Sequence, residues 1–173
     1  MRQNIELALK ILAAAIAVFG VWKFFSDRAL AVEAERRATA LSYIEAYGSV
    51  EMIETRNVLF NFWKENDTFV DYMRAKLVSE RTYALFASVT IDEHPDTEAF
   101  QTAIYRLVNF YEQVWHCRTA DLCDPGMLDE YFCDRVTLQA AAYQPFLDEL
   151  GSRSGYESFG SSLGDFRVSC TTR

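Results

Sequence analysis

The chain has 173 residues, half of them apolar and 14% aromatic, which is ample material for a packed core and too much for a disordered chain. Its 25 acids against 17 bases give a net charge of −8, and residues 27–173 hold 24 acids and 14 bases, a net −10. A domain this acidic, with no basic stripe, repels phosphate backbones and anionic lipid, so it takes no nucleic acid and does not lie on a charged membrane face.

From Leu7 to Phe25 the sequence reads LALKILAAAIAVFGVWKFF. As a helix these 19 residues span roughly 28 Å, close to the hydrocarbon thickness of a bilayer. Lys10 and Lys23 stand near the two ends, where their stems can snorkel to the headgroups, and Trp22, Phe24 and Phe25 suit the aromatic interface belt. A transmembrane anchor over residues 1–26 is therefore expected. The rival is a cleaved signal peptide with a small-x-small site at Ala29–Ala31, set against it by the charges of Lys23, Asp27 and Arg28. Ala13, Ala17 and Gly20 share one face, small and flat enough for a second helix to approach. That face predicts a membrane-protein partner or a homo-oligomer, besides the bilayer itself. Positive charges flank both ends, Arg2 and Lys10 on one side and Lys23, Arg28, Arg36 and Arg37 on the other, so charge alone barely orients the span.

Residues 27–48 are rich in Ala, Glu and Arg and predict a helical stalk, with Leu30, Ala34, Leu41 and Ile44 turning inward and Gly48-Ser49 as its end. A second helix is expected over about 50–64, with Ile53, Leu59, Phe60 and Trp63 as its apolar set. After a break at Asn66-Asp67-Thr68, a third is expected over about 69–88, presenting Val70, Met73, Leu77 and Leu85. A polar turn follows at Asp92–Asp96. The clearest periodicity comes next: Phe100, Ala103, Ile104, Leu107, Val108, Tyr111, Val114 and Trp115 keep helical spacing over four turns. Asp124-Pro125 is a cap followed by proline at the first helical position, and Gly151 is the expected stop of that helix. The Ser/Gly-rich residues 152–173 are expected to be irregular, apart from a short helix near Ser158. No strand alternation stands out. The fold class is all-α: an N-terminal transmembrane helix continuing into a stalk, then an up-and-down helical bundle over residues 49–151.

The four cysteines leave three readings open. An even number in an oxidising compartment predicts disulfides, Cys117–Cys123 across the helix connection and Cys133–Cys170 tying down the tail. In a reducing compartment His116, Cys117, Cys123 and Cys133 are a candidate zinc set, although the spacing is loose for zinc. The third reading is four separate, partly buried thiols. The disulfide reading favours an inward N-terminus and a periplasmic domain.

His94 falls in a charged turn, and His116 ends a helix one turn after Glu112, an ordinary i, i+4 pair more often than an acid/base site. The aromatic set Phe60, Trp63, Phe110, Tyr111 and Trp115 has helical spacing and reads as core. No nucleophile stands beside a base, and there is no phosphate loop, dinucleotide fingerprint or paired metal motif, so neither catalytic residues nor cofactors are expected.

The stretches Leu107-Val-Asn-Phe-Tyr-Glu112, Leu122-Cys-Asp-Pro-Gly-Met-Leu128-Asp-Glu-Tyr-Phe132 and Tyr143-Gln-Pro-Phe146 resemble a bacterial family of uncharacterised single-pass membrane proteins, over about residues 34–151. The resemblance implies an anchor, a stalk and a helical domain, and it adds no catalytic residue. The expected function is a non-catalytic accessory or interaction subunit of a bacterial inner-membrane assembly. The rivals are a periplasmic ligand-sensing domain that signals through a partner, and an enzyme with an unrecognised site.

Overall fold

The computed structural model describes residues 2–66, 71, 79–93, 95–154 and 159–172, without the side chains of 2–11, 13–15, 80–81, 84, 87–88, 92, 145 and 153–154. Among the described residues there are six helices and no strand: α1 (Arg2–Tyr47), α2 (Val50–Glu65), α3 (Glu80–Glu93), α4 (Thr97–Thr119), α5 (Pro125–Ser154) and α6 (Ser161–Thr171).

The 46-residue α1 is roughly 70 Å long, and only its last quarter joins the bundle. Residues 27–35 are exposed, and burial begins with Arg36, Ala40, Tyr43, Ile44 and Tyr47, at helical spacing. Of the expected inward face Ile44 is covered, whereas Ala34 is exposed and Leu30 and Leu41 are 62% and 45% exposed. Arg36 and Tyr43 carry long apolar stems and rings that cover more of the bundle than those leucines. Among the described residues no helix is long and apolar enough to cross a membrane. Side chains 7–11 and 13–15, within the apolar run, lie outside them.

Gly48 turns the chain, and Ser49 caps α2 by accepting the Met52 N–H at 3.3 Å. α2 buries Met52, Thr55, Leu59 and Phe62, with Trp63 packed against the core, and leaves Ile53 and Phe60 exposed, which corrects two of the four expected apolar residues. Thr55 hid this face, because its hydroxyl is satisfied locally by the Glu51 carbonyl at 2.9 Å and so tolerates burial. Of the expected third helix, Val70, Met73 and Leu77 lie outside the described residues, and Leu85 is 67% exposed. The helix described there starts after Ser79, whose hydroxyl accepts the Thr82 N–H, and it anchors through Tyr83 and Ile91.

α4 is the central element and packs against α2, α3, α5 and α6. Its periodic residues are buried as expected, with Trp115 half-covered, and Phe110 and Cys117 join them. Rings fill the space between helices: Tyr47 lies 5.5 Å from both Phe110 and Phe132, and Phe62 lies 4.0 Å from Phe100. Two of the buried polar tips find partners. The Trp63 indole donates to the Tyr143 hydroxyl at 2.8 Å, and the Tyr83 hydroxyl donates to the Ala142 carbonyl. Burial pushes the Tyr83, Tyr111 and Tyr143 hydroxyls up in pKa, so they stay protonated.

α5 does not stop at Gly151, which is buried inside the helix. The described tail residues are mostly helical rather than irregular, and Ser158, where a short helix is expected, lies outside the described residues. Gly160, at φ 76°, turns the chain back, and α6 lays Leu163 and Phe166 into the core against α4 and α5.

Candidate functional site at the junction of α1 and the bundle

The helix that projects and the bundle that holds it meet at residues 117–128. α4 ends at Thr119, and Asp121 adopts φ 61° to reverse the chain. Leu122 and Cys123 both donate backbone N–H groups to the Cys117 carbonyl, at 3.0 and 3.2 Å. The Cys117–Cys123 disulfide closes this six-residue step from the side chains. A tight, cross-linked connection results, and it grips α1 at one place. Asp121 pairs with Arg36, the Asp124 carboxylate lies 3.4 Å from Arg37, and the Asp124 N–H donates to the Arg36 carbonyl at 3.1 Å. Arg37 also holds Glu33 one turn earlier on α1.

Asp124 does two jobs. It accepts the Met127 N–H at 3.1 Å as the cap of α5, and that bond, with smaller help from Gly126 and Arg37, holds its carboxyl below the usual carboxylate range. An open groove of ≈ 670 Å³ runs beside the junction, lined by Phe25, Ala29, Val32 and Pro125 with Arg28, Glu33, Arg36 and Asp124. Its charges balance, so it favours neither sign of ligand.

Beyond the junction α1 is apolar and uncovered. Leu12, Ile16, Val18, Phe19, Val21, Trp22, Phe24 and Phe25 are all 57–70% exposed. Of the expected packing face, Ala17 is exposed, a Cβ added at Gly20 would meet nothing within 4 Å, and the side chain of Ala13 lies outside the described residues.

The second disulfide, Cys133–Cys170, ties α6 to α5 across 37 residues of sequence. Both expected pairings are therefore formed, and the zinc set is corrected. Cys117, Cys123 and Cys133 are bonded to sulfur, and His116 is exposed on the end of α4. Glu112 does not serve His116 but accepts the Gly160 N–H at 3.3 Å. His94 lies outside the described residues.

Asp129, Cys133 and Cys170 bring ligand-type atoms together. The sulfurs are joined to each other, and the Asp129 carboxylate receives two guanidinium bonds from Arg118, at 2.8 and 3.1 Å. That leaves no free donor set for a metal. Sequence reasoning missed this buried ion pair because 11 residues separate the partners across a helix connection.

No curated protein and no solved structure matches the chain. A family described as Domain of unknown function (DUF4760) matches over residues 7–161, which takes in part of the projecting helix, the junction and all but the last helix of the bundle. The chain belongs to the DUF4760 family, a domain of unknown function.

Proposed function

We propose that the protein is a membrane-anchored, non-catalytic helical subunit, an accessory or interaction partner within a bacterial inner-membrane assembly, with its bundle in the periplasm. One observation carries the anchor: the outer half of α1 presents eight large apolar side chains that nothing among the described residues covers. Moving them from water into hydrocarbon is worth on the order of 10 kcal/mol, and a helix satisfies its own backbone there. The 19-residue run from Leu7 to Phe25 has the length for it. Two disulfides in a small domain favour an oxidising compartment.

The interaction role is supported by construction. The junction grips α1 with two aspartates, two arginines and a disulfide-closed turn, so the helix leaves the bundle in a defined direction. A loose tether needs no such clamp. The face of Ala13, Ala17 and Gly20 is where a partner helix would seat.

Detergent-solubilised full-length protein, purified from membranes, tests both parts. Intact mass should show the uncleaved N-terminus, and a mature species beginning near Val32 would end the anchor reading. A stoichiometric membrane partner, or a homodimer, should co-purify. Ala17→Leu or Gly20→Leu should release it without preventing insertion, whereas Ala15→Leu should not. Equal tolerance of all three would leave the helix a tether only.

A further inference from the structure

The groove beside the junction continues the apolar surface of α1. At about 100° per residue, Val18, Trp22, Phe25, Ala29 and Val32 fall within about 80° of one another, on one face. The first three belong to the apolar run, and the last three line the groove, with Pro125 of α5 in its wall. The strip thus passes the end of the run at Phe25 by two turns, roughly 10 Å. Both residues beyond that end are exposed, Val32 at 48%.

Charged groups of the same groove flank this strip, Arg28 on one side and Glu33 on the other. Arg28 is exposed and, among the described residues, meets no carboxylate. Glu33 gives Oε1 to Arg37, and its Oε2 has no partner among the described residues. Counted along the helix from Phe25, Arg28 comes at roughly 4.5 Å and Glu33 at roughly 12 Å. Helical side chains lean back toward the N-terminus, here toward the apolar run, and the headgroup layer beyond the hydrocarbon is about 5–8 Å thick. Moving outward, the groove therefore offers the end of the apolar run, then a cation, then an anion, with Ala29 and Val32 as the floor between the two charges.

We propose that the groove seats the headgroup of one phospholipid from the adjoining leaflet, of the phosphoethanolamine type. The inference rests on the membrane anchor proposed above and adds the lipid that the anchor selects. Arg28 forks onto the phosphate, the ethylene link crosses Ala29 and Val32, and Glu33 Oε2 accepts from the primary ammonium. The acyl chains lie along Phe25, Trp22 and Val18. Charge decides against an anionic headgroup, because Glu33 and Asp124 line the groove and residues 27–173 carry a net −10. A quaternary ammonium has no N–H to give Glu33.

Full-length protein in non-ionic detergent is offered equal amounts of phosphatidylethanolamine, phosphatidylglycerol and phosphatidylcholine with the same acyl chains, and native mass spectrometry reads the lipid retained. One phosphatidylethanolamine per chain should be kept about ten-fold over the other two, as expected for one hydrogen bond to a charged group. Arg28→Gln should lose the lipid, and Glu33→Gln should erase the preference over phosphatidylcholine. Asp27→Asn, on the opposite face of α1, should change neither. All three positions are exposed, so urea midpoints should stay at the wild-type value, which separates lost binding from lost folding. Alkaline extraction of the membranes is run beside it, and protein released by alkali would end the anchor and the site together. Protein that stays in the membrane but retains the three lipids equally ends the site alone. So does a wild-type preference that survives in both Arg28→Gln and Glu33→Gln.

Discussion

Replacing Cys133 and Cys170 together by serine should destabilise the protein about twice as much as replacing Cys117 and Cys123. The two bridges differ chiefly in the loop they close, 37 residues against 6. Loop-closure entropy then gives about 4 kcal/mol for the first and about 2 kcal/mol for the second. Most of this acts on the unfolded chain, so native α6 should remain docked: Leu163 and Phe166 are fully buried, and Trp115 lies 5.6 Å from Phe166. Equilibrium urea unfolding of the full-length protein, followed by tryptophan fluorescence, measures the difference. The Cys133/Cys170 variant should also show a larger m-value, since its unfolded chain is less compact. Equal losses for the two pairs would refute the argument. So would a Cys133/Cys170 variant whose Trp115 signal is already that of an undocked α6 without denaturant.

Arg118→Met should cost about 3–5 kcal/mol, read in the same unfolding assay, because it takes the guanidinium away from the Asp129 carboxylate, whose side chain is 1% exposed; adding Asp129→Asn should recover part of the loss. Gly160→Ala should cost about 1–3 kcal/mol, since the residue sits at φ 76° and its new Cβ would lie 2.8 Å from Leu147 Cδ1. Asp124→Ala should cost about 1 kcal/mol at neutral pH by uncapping α5. The folded pKa of Asp124 is depressed, so its contribution is present above the unfolded carboxylate value and is lost as the pH falls through the folded one. Urea midpoints of wild type and Asp124→Ala should therefore keep a constant gap down to about pH 4 and converge only below it, and a gap that persists as the pH falls well below that range would count against the cap.

Local chemistry was legible in the sequence wherever a short segment decides its own structure. The eight-position stripe from Phe100 to Trp115 fixed α4 and most of its core face, because four turns at helical spacing leave one solution. Asp124-Pro125 started α5, since the carboxylate and the proline act within four residues. The even number of cysteines, one pair flanking the helix connection and the other offering to tie down the tail, pointed to the two bridges that are formed, with a zinc set and separate thiols as rivals.

Tertiary structure decided what a segment by itself leaves degenerate. α2 carries apolar residues on two faces, and the bundle buries Met52, Leu59 and Phe62 while leaving Val50, Ile53 and Phe60 outside. Gly151 has a helix-stopping identity, yet α5 runs through it to Ser154 where α6 packs alongside. Residues 161–171 have little helical pattern of their own. They are ordered by Leu163 and Phe166 in the core and by the bridge from Cys170 to Cys133 on α5, contacts between residues far apart in the chain. Periodicity tells which residues share a face; only the packed neighbours decide which face is covered, because burial is a property of the assembled surface.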